Sequence, residues 1–381
     1  MNKQKKFTIL IDVDAAAISK KSGIGYYTAG LTEAMAKNAP DNVRIVGHYF
    51  DFMGLNKPKL PKHRNISYRR SILVPRRFAN LLRRLRIALP YELLTRTRAD
   101  FIVYPNFLRR HTLFKTPYAA AIHDLAYIDT PQYVSTRNRR DLLRLVPWTI
   151  QRASFLLAIS QTMKGRITHE FPWYRGDFVC EPLPIAMPLR DNLPAQNEMG
   201  ITGKYVLFLG NIEPRKNIVR LVRAYENLPV TLRNKYSLVL AGGVGWNNDE
   251  IAKTIENSVA SGHKVITTGY VSEKQRASLY KNASVFAFPS LYEGYGLPVL
   301  EAASYGVPVV ASDLSVLREV MGQGAAYCDP MKTSSITETL RAVLESKAVR
   351  ARLVDGGSAA VSDKSWDRVA KSIYKRIGYS I

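Results

Sequence analysis

Short apolar runs alternate along the chain with longer stretches in which apolar side chains recur every three or four positions. This alternation predicts strands and helices in turn, and hence α/β units built on parallel sheets. Before residue 180 the runs place strands at Phe7–Val13, Val43–Tyr49, Phe101–Tyr104, Tyr118–Ile122, Phe155–Ile159 and Phe178–Val179. Helical spacing falls over Gly25–Ala36, Arg77–Thr95, Arg139–Gln151 and Gln161–Glu170. A second set of strands follows at Tyr205–Leu209, Ser237–Ala241, Lys264–Thr268, Ser284–Phe288, Val307–Ala311 and Ala325–Cys328. An amphipathic helix then covers Ser365–Ile377.

Between the two sets, Glu181–Pro194 holds prolines at 182, 184, 188 and 194. Proline cannot donate into a sheet ladder and stiffens the chain, so this stretch reads as a linker. The expected organisation is two Rossmann-like α/β domains, 1–190 and 191–362, followed by a helical segment, 363–381. Two such domains on a proline hinge imply a cleft at which the carboxyl ends of both sheets face a ligand.

Composition agrees with two folded domains. The 381 residues are 46% hydrophobic and 23% charged, which excludes a disordered or collagen-like chain. The apolar run after the basic start is too short for a signal-peptide core, and no run has the length of a membrane span. Cys180 and Cys328 have no metal-ligand spacing and read as free thiols of a reducing, cytoplasmic compartment.

The charge is unevenly spread. Of the net +24, residues 1–180 carry +19, and residues 57–115 hold 16 basic side chains against Glu92 and Asp100. Within that segment Arg69, Arg70, Arg76, Arg77, Arg83, Arg84 and Arg86 interleave with leucines and Phe78. The stretch Arg77–Leu89 reads as a basic amphipathic helix, suited to an anionic membrane interface or to an acceptor. The other readings are a solvated helix packing its leucines on the core, and a nucleic-acid surface. No zinc-finger spacing, RRM signature or zipper heptad supports the last, so no nucleic acid is expected.

Candidate chemistry gathers at strand–helix junctions. The first strand ends in Asp12-Val-Asp14, a D-x-D that could hold a divalent cation or simply cap the turn. Ser22-Gly23-Ile-Gly25 then opens a helix, where glycines admit a phosphate or sugar to backbone N–H groups. It is neither G-x-G-x-x-G, since residue 28 is threonine, nor a Walker loop. His123-Asp124 follows a strand; the imidazole could bond a sugar hydroxyl or phosphate, with Asp124 orienting it or capping the next helix.

After Tyr205–Leu209 comes Gly210-Asn211-Ile-Glu-Pro-Arg215-Lys216-Asn217, two cations beside a helix N-terminus and a ready diphosphate site. Further on, Ser290-Leu-Tyr-Glu293-Gly294-Tyr-Gly296-Leu297-Pro-Val-Leu-Glu301 places two acids around another helix start, Glu301 within its first turn. A carboxylate can accept two hydrogen bonds from a vicinal diol, so a ribose suits Glu301. The alternative is that both acids serve only the helix dipole.

G-x-x-E-P-R-K-N together with E-G-Y-G-L-P-V-L-E resembles glycosyltransferase family 4, retaining sugar-nucleotide enzymes of the GT-B fold. The resemblance covers nearly the whole chain and is strongest over Val206–Asp329; the Gly23–Gly25 loop, His123-Asp124 and the Trp366 helix fall in the family's order. It implies that the second domain binds the nucleotide sugar, that the first binds the acceptor, and that the last helix returns to the first domain. It also assigns the diphosphate to Arg215 and Lys216, the ribose to Glu301, and the donor sugar to Glu293. His123 would contact that sugar or its phosphate, and Gly23 and Gly25 would line the cleft. Many members carry a basic residue where this chain has Asn211. The wider donor set is Gly210, Asn211, Ser290, Gly294, Gly296 and Leu297.

The implied reaction is metal-independent transfer of a hexosyl group, with no cofactor beyond the donor. The motif combination most resembles members that use GDP-mannose in surface polysaccharide assembly, while related motifs serve UDP-sugars. The implied acceptor is a glycan or lipid-linked saccharide at the inner face of the plasma membrane. Two rivals stand beside this reading: another sugar-nucleotide reaction on the same architecture, such as an epimerase or phosphorylase, and a basic nucleic-acid-binding protein.

Overall fold

The computed structural model describes residues 6–18, 21–54, 58–85, 87, 89–185, 191, 193–245, 248–362 and 364–379. The chain divides into two compact units, Met1–Leu183 with Ser365–Ile381, and Pro184–Lys364.

The first unit opens with β1 (Phe7–Asp12), α1 (Gly23–Lys37), β2 (Val43–Phe50), β3 (Ile66–Ser71), α2 (Arg76–Arg84) and α3 (Tyr91–Thr95). It continues through β4 (Phe101–Tyr104), β5 (Tyr118–Ile122), α4 (Ala126–Asp129), α5 (Thr136–Ile150), β6 (Phe155–Ala158), α6 (Gln161–Glu170) and β7 (Asp177–Val179). The strands form one parallel sheet in the order β3-β2-β1-β4-β5-β6-β7.

The second unit begins with β8 (Lys204–Leu209), α7 (Ile218–Glu226), α8 (Val230–Lys235), β9 (Tyr236–Ala241), α9 (Asp249–Ala260) and β10 (Val265–Gly269). There follow α10 (Glu273–Asn282), β11 (Val285–Phe288), α11 (Leu297–Ser304), β12 (Val309–Ser312), α12 (Ser315–Met321) and β13 (Ala325–Cys328). Helices α13 (Thr333–Glu345) and α14 (Lys347–Ser362) complete it. Its parallel sheet runs β10-β9-β8-β11-β12-β13.

The central strands are apolar on both faces because helices cover both. Ile9, Ile11, Val103, Ile122, Leu207, Phe208, Phe286 and Phe288 are all fully buried. Each such side chain contributes about 1.5–3 kcal/mol through burial. In each sheet the strand order reverses once, between β1 and β4 and between β8 and β11. Ligands of open α/β sheets bind outside the carboxyl ends of strands at such a reversal.

The last helix, α15 (Trp366–Ile377), packs on α1 in the first unit. Trp366 lies over Gly30, where an added Cβ would stand 2.4 Å from the indole. Tyr374 donates its hydroxyl hydrogen to the Met35 carbonyl at 2.7 Å, and Asp367 accepts from Lys37 and Asn38.

The basic segment departs from its expected form. The sequence reading has no strand at Ile66–Ser71, yet this arginine-bearing stretch pairs with β2 as the sheet's edge. An edge strand needs only one apolar face: Tyr68 covers Gly47 while Arg69 and Arg70 are exposed. The single helix over Arg77–Thr95 is two, α2 and α3. Pro90 flanks α3, and its residue, with no N–H and a ring in the path of a preceding turn, cannot sit inside a continuous helix. Neither cysteine forms a disulfide.

Candidate functional sites

In the second unit the candidate residues meet at the β8/β11 reversal. Beyond Leu209 the chain passes Gly210 and Asn211, makes a 3-10 turn over Pro214–Lys216, and enters α7 through Asn217. Asn217 holds a left-handed backbone (φ 61°), and its side-chain amide donates to the carbonyls of Pro289 at 2.9 Å and Pro330 at 2.7 Å. This ties the basic turn to the loop after β11. From that loop Leu291 N–H donates to Arg215 O, and Arg215 Nη1 donates to Tyr292 O at 2.9 Å.

Lys216 and Glu293 are both buried and paired, Nζ to Oε1 at 2.6 Å. Arg215 reaches Glu293 at 3.5 Å and Glu213 at 2.9 Å. Burial pushes the Glu293 carboxyl up, but the charges of Lys216 and Arg215 outweigh it and hold it below its ordinary value. Burial draws the Lys216 ammonium down, against the pull of Glu293 in the other direction. The two cations expected to await a diphosphate therefore already have acidic partners. That fixes Lys216 in place, and an ammonium has three N–H donors to distribute.

Glu301 lies in α11, five residues in, and so beyond the first turn where the sequence reading puts it. Its carboxylate accepts from Tyr280 at 3.0 Å and Arg276 at 3.3 Å, and burial raises its pKa. The helix starts at Gly296, whose φ of 99° and contact with Leu317, 2.5 Å from an added Cβ, leave no room for a side chain. Ser290 is buried and its carbonyl accepts from Ser312 Oγ at 2.6 Å. Gly294 is buried with the acids' loop, Leu297 opens α11, and Asn211 is exposed.

Sequence reasoning missed two features of this site. Tyr280 and Arg276 hold Glu301 from α10, with no local signal. The loop Gly242-Gly243-Val244-Gly245 crosses Gly210 so closely that a Cβ on Gly242 would stand 1.9 Å from Gly210 O. Three glycines directly after the Ser237–Ala241 strand were a legible sign of it.

In the first unit the β1/β4 reversal carries a polar cavity of about 240 Å³. Asp12 accepts from Arg110 Nε at 2.9 Å, and Asp14 pairs with Arg76 Nε at 2.9 Å. Among the described residues their other bonds go to backbone: Asp14 N–H to Asp12, and Phe50 N–H to Asp14. The D-x-D carboxylates thus serve arginines and the chain. Among the described residues no group of three or more His, Cys, Asp or Glu is placed to hold a metal ion. Arg110, unforeseen from sequence, is buried over the Phe50 and Tyr91 rings. Ser22 and Ile24 line the cavity beside the helix start, whereas Gly25 meets the Ala15 carbonyl.

His123 is buried, with Nε2 2.6 Å from the Pro105 carbonyl and its ring edge-on to Tyr27 and Phe107. A carbonyl only accepts, so Nε2 carries the hydrogen. Burial pulls its pKa down to about 4. Asp124 accepts from Ala126 N–H, the turn-capping role.

Arg76 begins α2 and Arg77 is exposed on it; Arg86 and the side chains of Arg83 and Arg84 lie outside the described residues. Phe78, Leu81 and Leu85 are 51%, 46% and 57% exposed. Beside β3 and α3 a groove of about 500 Å³ is lined by Ile72, Leu73, Leu93, Arg69, Arg70 and Arg96. Among the described residues no helix is long and apolar enough to cross a membrane.

Comparison with known proteins follows the same outline. The family described as "Glycosyl transferases group 1" matches residues 190–359. The chain is 30% identical over 276 residues to the O-antigen chain mannosyltransferase B of Escherichia coli, covering 70% of this chain and 71% of that protein. It is 32% identical over 258 residues to the serotype-specific mannosyltransferase WbdA of Escherichia coli, 65% of this chain but 32% of that longer protein. In fold it resembles a sucrose-phosphate synthase from Thermosynechococcus elongatus (TM-score 0.72, 17% identity, 98% of this chain and 99% of that one). It equally resembles WaaG, a glycosyltransferase involved in lipopolysaccharide biosynthesis (TM-score 0.72, 15% identity, 98% and 100%).

Proposed function

The chain belongs to the glycosyl transferases of group 1, and on that premise we propose that it transfers a mannosyl group from GDP-mannose to a glycan or lipid-linked saccharide in surface polysaccharide synthesis. The GT-B fold and the activity class, glycosyl transfer, follow from the likenesses above; the donor and acceptor are our reading. The observation that carries it is the buried Lys216–Glu293 pair, locked with Arg215 at the β8/β11 reversal. The mannosyl and polysaccharide assignments draw on the names of the two Escherichia coli relatives.

Breaking the bond to the anomeric carbon leaves negative charge on the departing nucleoside diphosphate. Cations preset where that charge develops stabilise the transition state more than the ground state. Lys216 and Arg215, beside the start of α7, supply them without a metal. Glu293 keeps Lys216 charged and in place and meets the donor sugar. Glu301, steadied by Tyr280 and Arg276, accepts from the ribose hydroxyls. With no second carboxylate assigned as a nucleophile, the acceptor hydroxyl bonds to the anomeric carbon on the same face from which the nucleoside diphosphate departs as its C–O bond breaks; the departing phosphate takes the hydroxyl proton, and this front-face substitution retains configuration.

The enzyme meets its acceptor at an anionic membrane surface. Phe78, Leu81, Leu73 and Leu93 are exposed among Arg69, Arg70, Arg77 and Arg96, apolar side chains for the headgroup boundary and cations for lipid phosphates.

A thermal-shift panel of GDP-mannose, UDP-glucose and ADP-glucose tests the donor. GDP-mannose at 100 times its Kd adds about 2.7 kcal/mol to the native state and should give the largest rise in Tm. A larger rise with a UDP-sugar would replace the donor, and no rise with any of them would refute the donor site.

A further inference from the structure

We infer that Glu293 makes the second unit's site choose between a nucleotide that carries a sugar and one that has lost it: the carboxylate yields Lys216 to the first and withholds it from the second. The inference rests on the donor site proposed above and adds how that site discharges its own product.

The charges at the β8/β11 reversal cancel. Lys216 pairs with Glu293 and Arg215 with Glu213, and Arg215 also stands 3.5 Å from Glu293. Two cations facing two carboxylates leave these four side chains without net charge. Every nitrogen of the Arg215 guanidinium already faces an acceptor: Nε and Nη2 the Glu213 carboxylate, Nη1 the Tyr292 carbonyl and Glu293. The Lys216 ammonium lies 4.7 Å from the centre of the Phe288 ring, and among the described residues its hydrogen-bond acceptor is Glu293 Oε1. A diphosphate arriving here meets a carboxylate on the ammonium it needs.

The two loops are stitched together, by the Asn217 amide on Pro289 O and by Leu291 N–H on Arg215 O, so opening the pair falls to the side chains. A glutamate can turn about its own staggered bonds without moving the backbone. A sugar beside the terminal phosphate gives Glu293 somewhere to turn: its hydroxyls donate to the carboxylate, and Lys216 is freed toward the phosphate. In a sugar nucleotide that phosphate is a diester with a single charge. After transfer the hydroxyls are gone, and the terminal phosphate, with a second pKa of about 6, carries nearly two charges at neutral pH. Glu293 then faces a more negative neighbour with nothing to accept from, and closes on Lys216 again. Specificity is a difference of affinities, and a like charge set against the wrong ligand widens it. Here the wrong ligand is the spent nucleotide, whose release limits turnover in many enzymes.

Calorimetry on the full chain with GDP-mannose and GDP tests this, with UDP-glucose and UDP in their place if the thermal-shift panel selects uridine. The unaltered protein should bind the sugar nucleotide roughly tenfold or more tightly than the nucleotide alone, although the latter carries more charge. Equal affinities, or a tighter bare nucleotide, would overturn the inference without any variant. Glu293→Gln keeps the side chain's size and can still accept from Lys216, but has no charge. It should bind the bare nucleotide about tenfold more tightly than the parent does. A merely structural role would weaken both ligands, so an affinity for the bare nucleotide that is unchanged or reduced would also overturn the inference. Glu213→Gln removes the same charge from beside Arg215 instead; both ligands should gain alike and the selectivity should stay. A loss of selectivity as large as in Glu293→Gln would assign it to net charge and not to the contact with Lys216, and the inference would fall. If no sugar nucleotide binds in the thermal-shift panel, the parent reading falls as well; if one binds without selectivity, only this inference does.

Discussion

Lys216 Nζ and Glu293 Oε1 lie 2.6 Å apart, so the residues assigned to the donor's diphosphate and to its sugar are each other's partner. Removing one leaves the other charged and buried. Lys216→Ala should cost about 3 kcal/mol of stability, the low end for breaking a buried pair, because Arg215 stays 3.5 Å from Glu293. Lys216→Met with Glu293→Gln should recover much of that loss in urea unfolding. Turnover should fall on the order of 10²–10³ in Lys216→Ala, and Glu293→Ala should likewise lose most transfer activity. Near-normal turnover in either single variant would remove that residue from its role.

The same pair gives the second unit an acid limit. The folded carboxyl of Glu293 lies below its unfolded value. Its contribution is therefore present above the ordinary carboxylate range and lost as pH falls through the depressed folded value. Unfolding followed by far-ultraviolet circular dichroism should show stability declining below about pH 4.5, less steeply in Lys216→Met/Glu293→Gln.

His123 acts at higher pH. Its folded pKa of about 4, lowered by burial, lies below the ordinary imidazole value of 6.5. The unfolded chain takes up a proton from pH 6.5 downward while the folded ring stays neutral, so stability falls across that window. The loss is about 2 kcal/mol by pH 5 and about 3 kcal/mol below pH 4. His123→Gln should flatten this slope, measured as Tm between pH 7.5 and 5. A slope unchanged by the substitution would assign the acid sensitivity elsewhere, His48 being the other buried imidazole with a depressed pKa.

The sheets were legible because their strands are continuous apolar runs, covered on both faces. The strand order was not, since neighbours such as Val206 and Val285 are set by the crossover and not by local pattern. Strand β3 was hidden for a related reason: with Arg69 and Arg70 at its exposed edge, its sequence looks like a charged surface. The site motifs were visible as Gly, Pro and charged residues at strand ends. Their partners were not, because Arg110 reaches Asp12 from 98 positions away and Tyr280 reaches Glu301 from a different helix. Charge counting also mistook availability: Arg76, Arg215 and Lys216 each have a carboxylate partner within the fold.

Asn217 joins three segments through one side chain, with its backbone in the left-handed region. Asn217→Ala strands two buried carbonyls and puts a Cβ-bearing residue with no compensating bond at φ 61°. The expected cost is about 2–4 kcal/mol. Asn217→Gly removes the backbone strain but not the lost bonds, so the stability order should be Asn, then Gly, then Ala. Equal stability of the Gly and Ala variants would show that the left-handed turn relaxes on substitution.

Adjacent glycines after β9 offer a controlled comparison. A Cβ on Gly242 would stand 1.9 Å from Gly210 O, on a backbone at φ 143°, while one on Gly243 meets nothing within 4 Å. The obstacle at Gly242 is main chain of the basic loop itself, so Gly242→Ala must push the Gly210 end of that loop aside. It should lower stability by more than about 2 kcal/mol and weaken donor binding in the thermal-shift assay. Gly243→Ala should stay within about 0.5 kcal/mol of the parent. If both variants bound GDP-mannose like the parent, contact between the two glycine loops would have no part in shaping the site proposed for the diphosphate.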